Sequence, residues 1–189
     1  MKQMARTDKG WQRQDRSAAN LGAYQAAVEA ALDEMARERI VARIWAHDYT
    51  VWKPEPAEIS DRLGWLRIVD SMSAEVASLI AWRDAVAAEG CTDVLLLGMG
   101  GSSLAPDVYS RVFGGADNPL RLAVLDSTDP AVVLFHAERL DPARTLFIVA
   151  TKSGGTAETL SFFKFFYNWT ADALGLERTG EHFVAITDP

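Results

Sequence analysis

The sequence predicts an α/β protein with a doubly wound parallel sheet in a three-layer α/β/α arrangement, preceded by N-terminal helices. The first observation is a set of four short apolar runs without polar alternation, as expected for strands buried on both faces of a parallel sheet. The second is that the segments between these runs are long enough for crossover helices, which gives a βαβαβαβ series with right-handed connections. The predicted elements are strands at 94–97, 122–125, 146–150 and 183–186, with helices at 103–113, 130–140 and 156–174.

Composition narrows the classes of function. The chain has 189 residues, of which 49% are hydrophobic and 24% charged, as is typical of a globular protein. Its net charge of −7 argues against nucleic-acid binding, which depends on clustered lysine and arginine. No stretch resembles a membrane span or signal peptide, the three histidines lack metal-ligand spacing, and the single cysteine, Cys91, fits a reducing compartment. We therefore expect a cytoplasmic protein without metal, nucleic-acid or membrane partners, in which an anionic ligand is held locally.

The N-terminal half of the chain predicts helices. Residues 1–16 form a basic tail, and residues 17–89 form a helical region expected to pack on the sheet domain at 90–189. Apolar residues recur near a helical period over 17–45, which predicts one long amphipathic helix or two consecutive ones. The rest of the region is predicted as a proline-containing connector at 47–57 and helices at 58–66 and 74–88.

Two glycine- and hydroxyl-rich loops are the most informative feature of the chain. Each follows a predicted strand and leads into a predicted helix: Gly98-Met-Gly-Gly-Ser-Ser-Leu-Ala-Pro106 and Thr151-Lys-Ser-Gly-Gly-Thr-Ala-Glu-Thr159. A tetrahedral anion needs donors from several directions, which N–H groups at a helix start, hydroxyls and a lysine can supply. If the first and third strands are neighbours, both loops lie at the topological switch point of the sheet. The loops then predict one shared phosphate site.

In the first loop the candidate ligands are Gly100, Gly101 and Ser102. The glycines let the backbone approach a ligand, while Ser102 and Ser103 place hydroxyls at the helix start. Pro106 is predicted in the first turn of that helix, where its missing N–H costs little. A tight turn with a serine cap is the alternative interpretation, although three glycines in four positions exceed what capping needs.

In the second loop the candidate ligands are hydroxyls, a lysine and two glycines whose N–H groups can turn inward. They are Thr151, Lys152, Ser153, Gly154, Gly155 and Thr156. Helix capping by Thr156, with Lys152 in solvent, is the alternative interpretation. Glu158 lies in the first turn of the helix, where it either complements the helix dipole or supports a loop donor or a substrate hydroxyl.

The predicted helix after the second loop carries aromatic residues around more than one face, which is wider than one sheet contact requires. The residues expected to face the sheet are Leu160, Phe163 and Tyr167, and those expected to need another cover are Phe162, Phe166 and Trp169. The cover is either the N-terminal helical region or a second domain or subunit. The strand at 183–186 is followed by no covering helix in this sequence, which predicts a fragment or a partner at that edge.

Dinucleotide binding is the alternative for the first loop. The spacing Gly98-x-Gly100-x-x-Ser103 partly matches the GxGxxG pattern, with serine where the third small residue belongs. Asp126 ends the second strand like a ribose ligand, but farther along the chain than usual. A dinucleotide site does not call for a second hydroxyl-rich loop on another strand, whereas one phosphate held between two loops does.

The two loops and the final segment, Ala185-Ile-Thr-Asp-Pro189, resemble the N-terminal sugar-isomerase (SIS) domain of the glucose-6-phosphate isomerase family. Order and spacing agree over about residues 90–189, with Thr151 standing where serine is commoner. The resemblance implies a SIS-type, flavodoxin-like domain. The preceding stretch, with Trp52-Lys-Pro54 and Arg62-Leu-Gly-Trp-Leu66, more loosely resembles the isomerase part of bifunctional transaldolase/glucose-6-phosphate isomerase proteins.

The resemblance implies interconversion of glucose 6-phosphate and fructose 6-phosphate through an enediol, without a metal or other cofactor. The sugar 6-phosphate would be held by Gly101, Ser102, Thr151, Lys152, Ser153 and Thr156. In the family, the general base and ring-opening residues lie beyond the Ile-Thr-Asp-Pro segment. We therefore expect no catalytic residue in this chain, an inactive chain on its own, a C-terminal domain after Pro189 and a homodimer. The alternative functions are a non-catalytic SIS-domain sugar-phosphate regulator and a nicotinamide-dependent oxidoreductase.

Overall fold

The computed structural model describes residues 21–114 and 118–187 of the chain. The chain divides into two compact units, the first ending at Ala74 and the second beginning at Glu75. The predicted basic tail, residues 1–16, lies outside the described residues. No helix in the described ranges is long and apolar enough to cross a membrane.

The first unit contains two consecutive helices, α1 (Gln25–Arg37) and α2 (Ile40–Trp45). Arg39 lies between them in the left-handed region, with a φ of 53°, so one continuous helix is interrupted there. Of the two arrangements predicted for 17–45, the structure shows the two-helix arrangement over its described residues.

The connector after α2 is organised by Asp48. Its carboxylate accepts hydrogen bonds from the Thr50 N–H at 3.0 Å and from Arg43 Nε at 2.7 Å. The Thr50 hydroxyl and the Arg43 guanidinium stabilise the ionised carboxylate and lower the pKa of Asp48 from 3.8 to about 2. These contacts close a 3₁₀ turn at Tyr49–Val51 within the predicted connector.

The helix predicted at 58–66 does not form as one continuous element. Two 3₁₀ turns occupy this stretch, Ser60–Arg62 and Gly64–Arg67. Glu58 has a φ of 62°, which a right-handed helix cannot contain, and Gly64 has the low helix propensity of glycine. Short turns therefore replace a regular helix here.

The long helix α3 (Ile68–Ala88) begins before the predicted start at residue 74. Two serines before residue 74 lie within the helix, and their hydroxyls bond to helix carbonyls. Ser73 Oγ donates to the Val69 carbonyl at 2.6 Å, and Ser71 Oγ donates to the Ile68 carbonyl at 3.1 Å.

Four parallel strands form one sheet in the second unit, in the order β2-β1-β3-β4. Each predicted apolar run lies within one strand: β1 (Asp93–Gly98), β2 (Arg121–Leu125), β3 (Thr145–Ala150) and β4 (Phe183–Ile186). The predicted doubly wound α/β class is confirmed. Because β1 lies between β2 and β3, the chain reverses its winding direction there, and the ends of β1 and β3 form a topological switch point.

Helices occupy all three predicted crossover segments, and one short helix was not predicted. Asp129 is the N-cap residue of the second crossover helix, because its side chain accepts a hydrogen bond from the Ala131 N–H at 2.8 Å and Pro130 follows it. That helix ends at Ala137, earlier than predicted. The helices are α4 (Gly101–Phe113), α5 (Pro130–Ala137), α6 (Ala157–Leu174) and the short α7 (Leu176–Thr179).

The larger core of the second unit centres on Phe147 of β3, which is fully buried. Its ring stacks on those of Phe166 and Phe183, with centroids 5.2 and 4.7 Å apart. Phe162 is buried in the same core, and Trp169 meets Phe147 edge to face at 6.4 Å. The prediction that Phe162, Phe166 and Trp169 need a cover other than the sheet is therefore wrong.

A second stripe of aromatic side chains on α6 explains why aromatic residues occupy more than one face of this helix. Phe163 and Tyr167 both contact Phe183 on β4, with centroids 5.6 and 5.4 Å apart. One stripe of α6 therefore covers β3 and the adjacent stripe reaches β4. The single helix spans two strands, which needs an apolar face wider than one stripe.

Candidate functional site

The loops after β1 and β3 meet at one edge of the sheet. Gly98 at the end of β1 is directly opposite Ala150 at the end of β3 in the parallel ladder. A Cβ on Gly98 would lie 3.1 Å from the Ala150 carbonyl oxygen and 3.3 Å from Ser102 Cβ. The absence of a side chain at Gly98 therefore lets β1, β3 and the start of α4 approach closely.

The first loop is shorter than predicted, because α4 begins at Gly101. Gly100 is the N-cap residue with a φ of 53°, and no side chain caps the helix. The serine-cap interpretation is therefore wrong. Ser103 is fully buried and its hydroxyl donates to the Gly100 carbonyl at 3.0 Å, whereas Ser102 faces the site described below.

The early start of α4 also moves Pro106. It lies inside the helix and not in the first turn, so the placement predicted for it is wrong. A proline at this position cannot donate to the carbonyl of Ser102, four residues earlier. Pro106 itself lines a cavity together with Ser102.

In the second loop, Thr156 is the N-cap residue of α6, but its side chain makes no capping hydrogen bond. Its Oγ1 lies 3.3 Å from Thr151 Oγ1 instead. The capping interpretation of this hydroxyl is therefore wrong. A helix start leaves backbone N–H groups without intrahelical partners, and the N-cap side chain of α6 does not bond to them.

Both loops line a single cavity of about 360 Å³, which we call the shared cavity. The structure thus brings residues from the two loops together, although they are far apart in sequence. The residues that line it are Met99, Gly101, Ser102, Ala150, Thr151, Lys152, Ser153, Thr156 and Thr159.

An adjoining cavity of about 340 Å³ shares three of these residues, Gly101, Ser102 and Lys152. It extends toward the end of β4, where Ile186 and Thr187 line it. The ends of three neighbouring parallel strands, β1, β3 and β4, therefore contribute to one continuous edge. Both cavities lie wholly within the second unit.

The charge and donor content of the shared cavity suits an anion. Lys152 is its one charged residue within the described part of the chain, and it is exposed with no ion-pair partner there. Five residues with hydroxyl side chains also line the cavity: Ser102 at the start of α4, Thr151, Ser153 and Thr156 in the second loop, and Thr159 on the first turn of α6. No carboxylate or imidazole of the described residues lines either cavity, so no negatively charged side chain there repels an anion.

Four predicted site residues do not line either cavity. Gly100, Gly154 and Gly155 belong to the loops but contribute backbone shape, with φ of 53° at Gly100 and 68° at Gly154. Glu158 is exposed on the first turn of α6. It makes no hydrogen bond or ion pair with another described residue, so the structure gives it no loop donor to support.

Sequence reasoning missed Thr159 and Thr187. Thr159 lies one helical turn after Thr156, a spacing that places both on the same helix face and could have identified it. Thr187 follows β4, and the rule that parallel strands end at one edge could have identified it as it did the first two loops.

Asp126, the ribose ligand expected under the dinucleotide alternative, lines neither of the two cavities. A separate pocket of about 350 Å³ between α5 and α6 is lined mainly by Val133, Leu134, Phe162 and Phe165 and holds no charged side chain from the described residues. An anion therefore finds its donors at the shared cavity.

The amino-acid sequence of this chain is similar to sequences of known glucose-6-phosphate isomerases. Glucose-6-phosphate isomerase of Thermus thermophilus is 31% identical over 156 residues, which are 82% of this chain and 33% of that protein. Glucose-6-phosphate isomerase of Mycolicibacterium smegmatis is 39% identical over 100 residues, which are 52% of this chain and 18% of that protein. The chain thus spans about a third or less of the length of these relatives.

Structure comparison gives the same grouping. A crystal structure of a hypothetical protein from Thermus thermophilus superposes with a TM-score of 0.62 at 31% identity, covering 86% of this chain and 35% of that one. A glucose-6-phosphate isomerase from Chlamydia trachomatis superposes with a TM-score of 0.56 at 25% identity, covering 76% of this chain and 26% of that one.

The sequence model of the family described as phosphoglucose isomerase matches residues 59–188, more than half of the chain. The chain therefore belongs to the phosphoglucose isomerase family.

Proposed function

We propose that this chain supplies the phosphate-binding half of a glucose-6-phosphate isomerase, which interconverts glucose 6-phosphate and fructose 6-phosphate. The observation that carries the proposal is the shared cavity, which is lined by Lys152 and by hydroxyl-bearing residues from both glycine-rich segments beside the start of a helix. The relatives named glucose-6-phosphate isomerase support the choice of a sugar phosphate as the ligand.

The cavity supplies binding and orientation. Ser102, Thr151, Ser153 and Thr156 offer hydroxyl donors, and the start of α6 offers backbone N–H groups and the positive end of its dipole. A dianionic phosphate held there would anchor one end of the sugar. The reacting carbons of the sugar would then extend out of the cavity. The base that acts on them would lie outside the cavity.

The chemistry of the reaction requires such a base. An aldose and a ketose interconvert through an enediol when a base takes a proton from one carbon and returns it to the next. No carboxylate or imidazole of the described residues lines the cavity. We therefore expect the 189-residue chain to bind sugar phosphates without isomerising them, while the complete gene product isomerises them.

The test is titration of the 189-residue chain with fructose 6-phosphate by calorimetry. Replacing Lys152 by Ala or Ser102 by Ala should each weaken binding about ten- to hundredfold, because each removes a hydrogen bond to a charged ligand. Lys164→Ala is the matched control, because Lys164 is also exposed on this unit but lines neither cavity.

Two results would contradict the proposal. Binding by the Lys152→Ala and Ser102→Ala variants as tight as in the unmodified chain would refute the site. A complete gene product that binds fructose 6-phosphate but does not convert it would refute the isomerase activity and favour a regulator.

Assembly in the cytoplasm as a homodimer also belongs to this proposal. Helix α4 exposes a row of apolar side chains that a further protein surface could cover. Sedimentation of the complete gene product should give twice the monomer mass. A monomer at micromolar concentration would contradict this part of the proposal.

A further inference from the structure

Thr159 on the first turn of α6 carries a polar atom that the protein leaves unsatisfied. Its side chain is fully buried, and its Oγ1 has no hydrogen-bond partner in residues 21–114 and 118–187. The same residue lines the shared cavity beside Thr156 and Thr151.

Two other hydroxyls, of a serine and a threonine on helices of this unit, hydrogen-bond to a backbone carbonyl four residues earlier. Ser161 Oγ donates to the Ala157 carbonyl at 2.7 Å, and Thr179 Oγ1 donates to the Gly175 carbonyl at 2.9 Å. A helical serine or threonine normally satisfies itself in this way. Thr159 makes no such bond, although it lines the shared cavity.

A buried hydroxyl without a partner is unfavourable, and such groups in native proteins call for an explanation. A ligand oxygen that enters the cavity would supply the missing partner. Thr159 lies three residues after Thr156, so the two side chains share one face of the helix. A phosphate that contacts Thr156 is therefore near Thr159.

We propose that Thr159 is a further ligand of the bound phosphate, with its Oγ1 donating a hydrogen bond to a phosphate oxygen from within the shared cavity. This inference rests on the proposed function, because it assumes that the cavity holds a phosphate. It makes Thr159 a donor whose hydrogen bond forms only when the ligand is bound.

The test is Thr159→Val, an almost isosteric change, with inorganic phosphate as the probe in calorimetric titration of the 189-residue chain. Phosphate binding should weaken about tenfold, the effect of one lost hydrogen bond to a charged ligand. Stability in urea denaturation should stay the same or rise, because an unpartnered hydroxyl is removed. Thr159→Ser keeps the hydroxyl and should bind phosphate almost as tightly as the unmodified chain.

Thr170 provides a matched control on the same helix. It is also fully buried with an unpartnered hydroxyl, but it does not line the shared cavity. Thr170→Val should therefore leave phosphate affinity unchanged.

The outcomes separate the two proposals. If Lys152→Ala weakens phosphate binding and Thr159→Val does not, the assignment of Thr159 is overturned while the phosphate site stands. If the unmodified chain does not bind phosphate, both proposals fail.

Discussion

The hydroxyl oxygens of Thr151 and Thr156 lie 3.3 Å apart across the loop between β3 and α6. Thr156 occupies the N-cap position of α6, yet it orients its hydroxyl toward Thr151 and not toward the helix N–H groups. One of the two hydroxyls therefore donates to the other, the second keeps its proton for another acceptor, and no side-chain cap occupies the start of α6.

This arrangement predicts that Thr156→Ala affects binding more than stability. An N-cap threonine usually contributes about 1 kcal/mol, but the Thr156 hydroxyl makes no capping bond, so the loss of unfolding free energy should be smaller. Phosphate affinity should fall about tenfold. Urea denaturation and calorimetric titration measure the two effects.

Asp129→Ala is the control for this prediction. Asp129 does cap α5, through a 2.8 Å bond from the Ala131 N–H, and it lies outside the shared cavity. Its replacement should cost about 1 kcal/mol of stability and leave phosphate affinity unchanged. Equal stability losses for the two variants would show that Thr156 caps its helix after all.

Two glycines of the first loop should respond in opposite ways to alanine. A Cβ on Gly101 would meet no atom within 4 Å, and alanine at such a compatible position loses less backbone entropy on folding than glycine, which is worth about 0.4–1 kcal/mol. Gly101→Ala should therefore keep or raise stability. It should weaken phosphate binding about tenfold if the added methyl group hinders one ligand contact, because Gly101 lines both cavities.

Gly98→Ala should instead reduce stability by about 1–3 kcal/mol, because its Cβ would lie 3.1 Å from the Ala150 carbonyl oxygen and force β1 and β3 apart. Urea denaturation of both variants checks this contrast. A Gly101→Ala variant that binds phosphate normally would show that this glycine is not needed for ligand approach.

The strands of the sheet and the two loops could be predicted from the sequence for a physical reason. Strands such as β3 are buried on both faces and read as continuous apolar runs, so their ends, and the loops that follow them, can be located. Parallel strands bring those ends to one edge, and the observed pairing of Gly98 with Ala150 follows that rule.

The parts that sequence reasoning missed depend on tertiary geometry. Periodicity showed that α6 has a wide apolar face, but only the crossing of α6 over the sheet decides that Phe166 meets Phe147 while Phe163 meets Phe183. Likewise, no sequence pattern reveals that the Thr159 hydroxyl lacks a partner. A backbone turn such as that at Glu58, with a positive φ, also contradicts local helix propensity.

The stacked pair of Phe147 and Phe166 should dominate the stability of the second unit. Phe166 is fully buried, so Phe166→Ala should cost about 3–5 kcal/mol by loss of burial and creation of a cavity. The neighbouring Phe165 is 38% exposed, so Phe165→Ala should cost clearly less. Urea denaturation measures both, and equal losses would contradict the observed orientation of α6.

The ion pair between Asp93 and Arg121 predicts a pH dependence of stability. Arg121 donates to both carboxylate oxygens of Asp93, at 2.9 and 2.8 Å, and the Thr92 hydroxyl donates to one of them at 2.8 Å. Partial burial acts to raise the pKa of Asp93, but the bonds from Arg121 and Thr92 outweigh it, so the pKa lies below its ordinary value of 3.8. A carboxyl group with a lowered pKa in the folded state stabilises the protein above its unfolded pKa.

That stabilisation should disappear as the pH falls from about 5 through the lowered pKa of the folded state, because the unfolded chain binds the proton first. Asp93→Asn removes the titrating group while keeping its shape. The difference in unfolding free energy between the unmodified chain and Asp93→Asn should therefore be largest near neutral pH and shrink steadily below about pH 4. Urea denaturation across this range at constant ionic strength measures it. A difference that stays constant with pH would show that Asp93 does not titrate with a lowered pKa, because a purely structural effect of the substitution has no reason to follow protonation of the carboxylate.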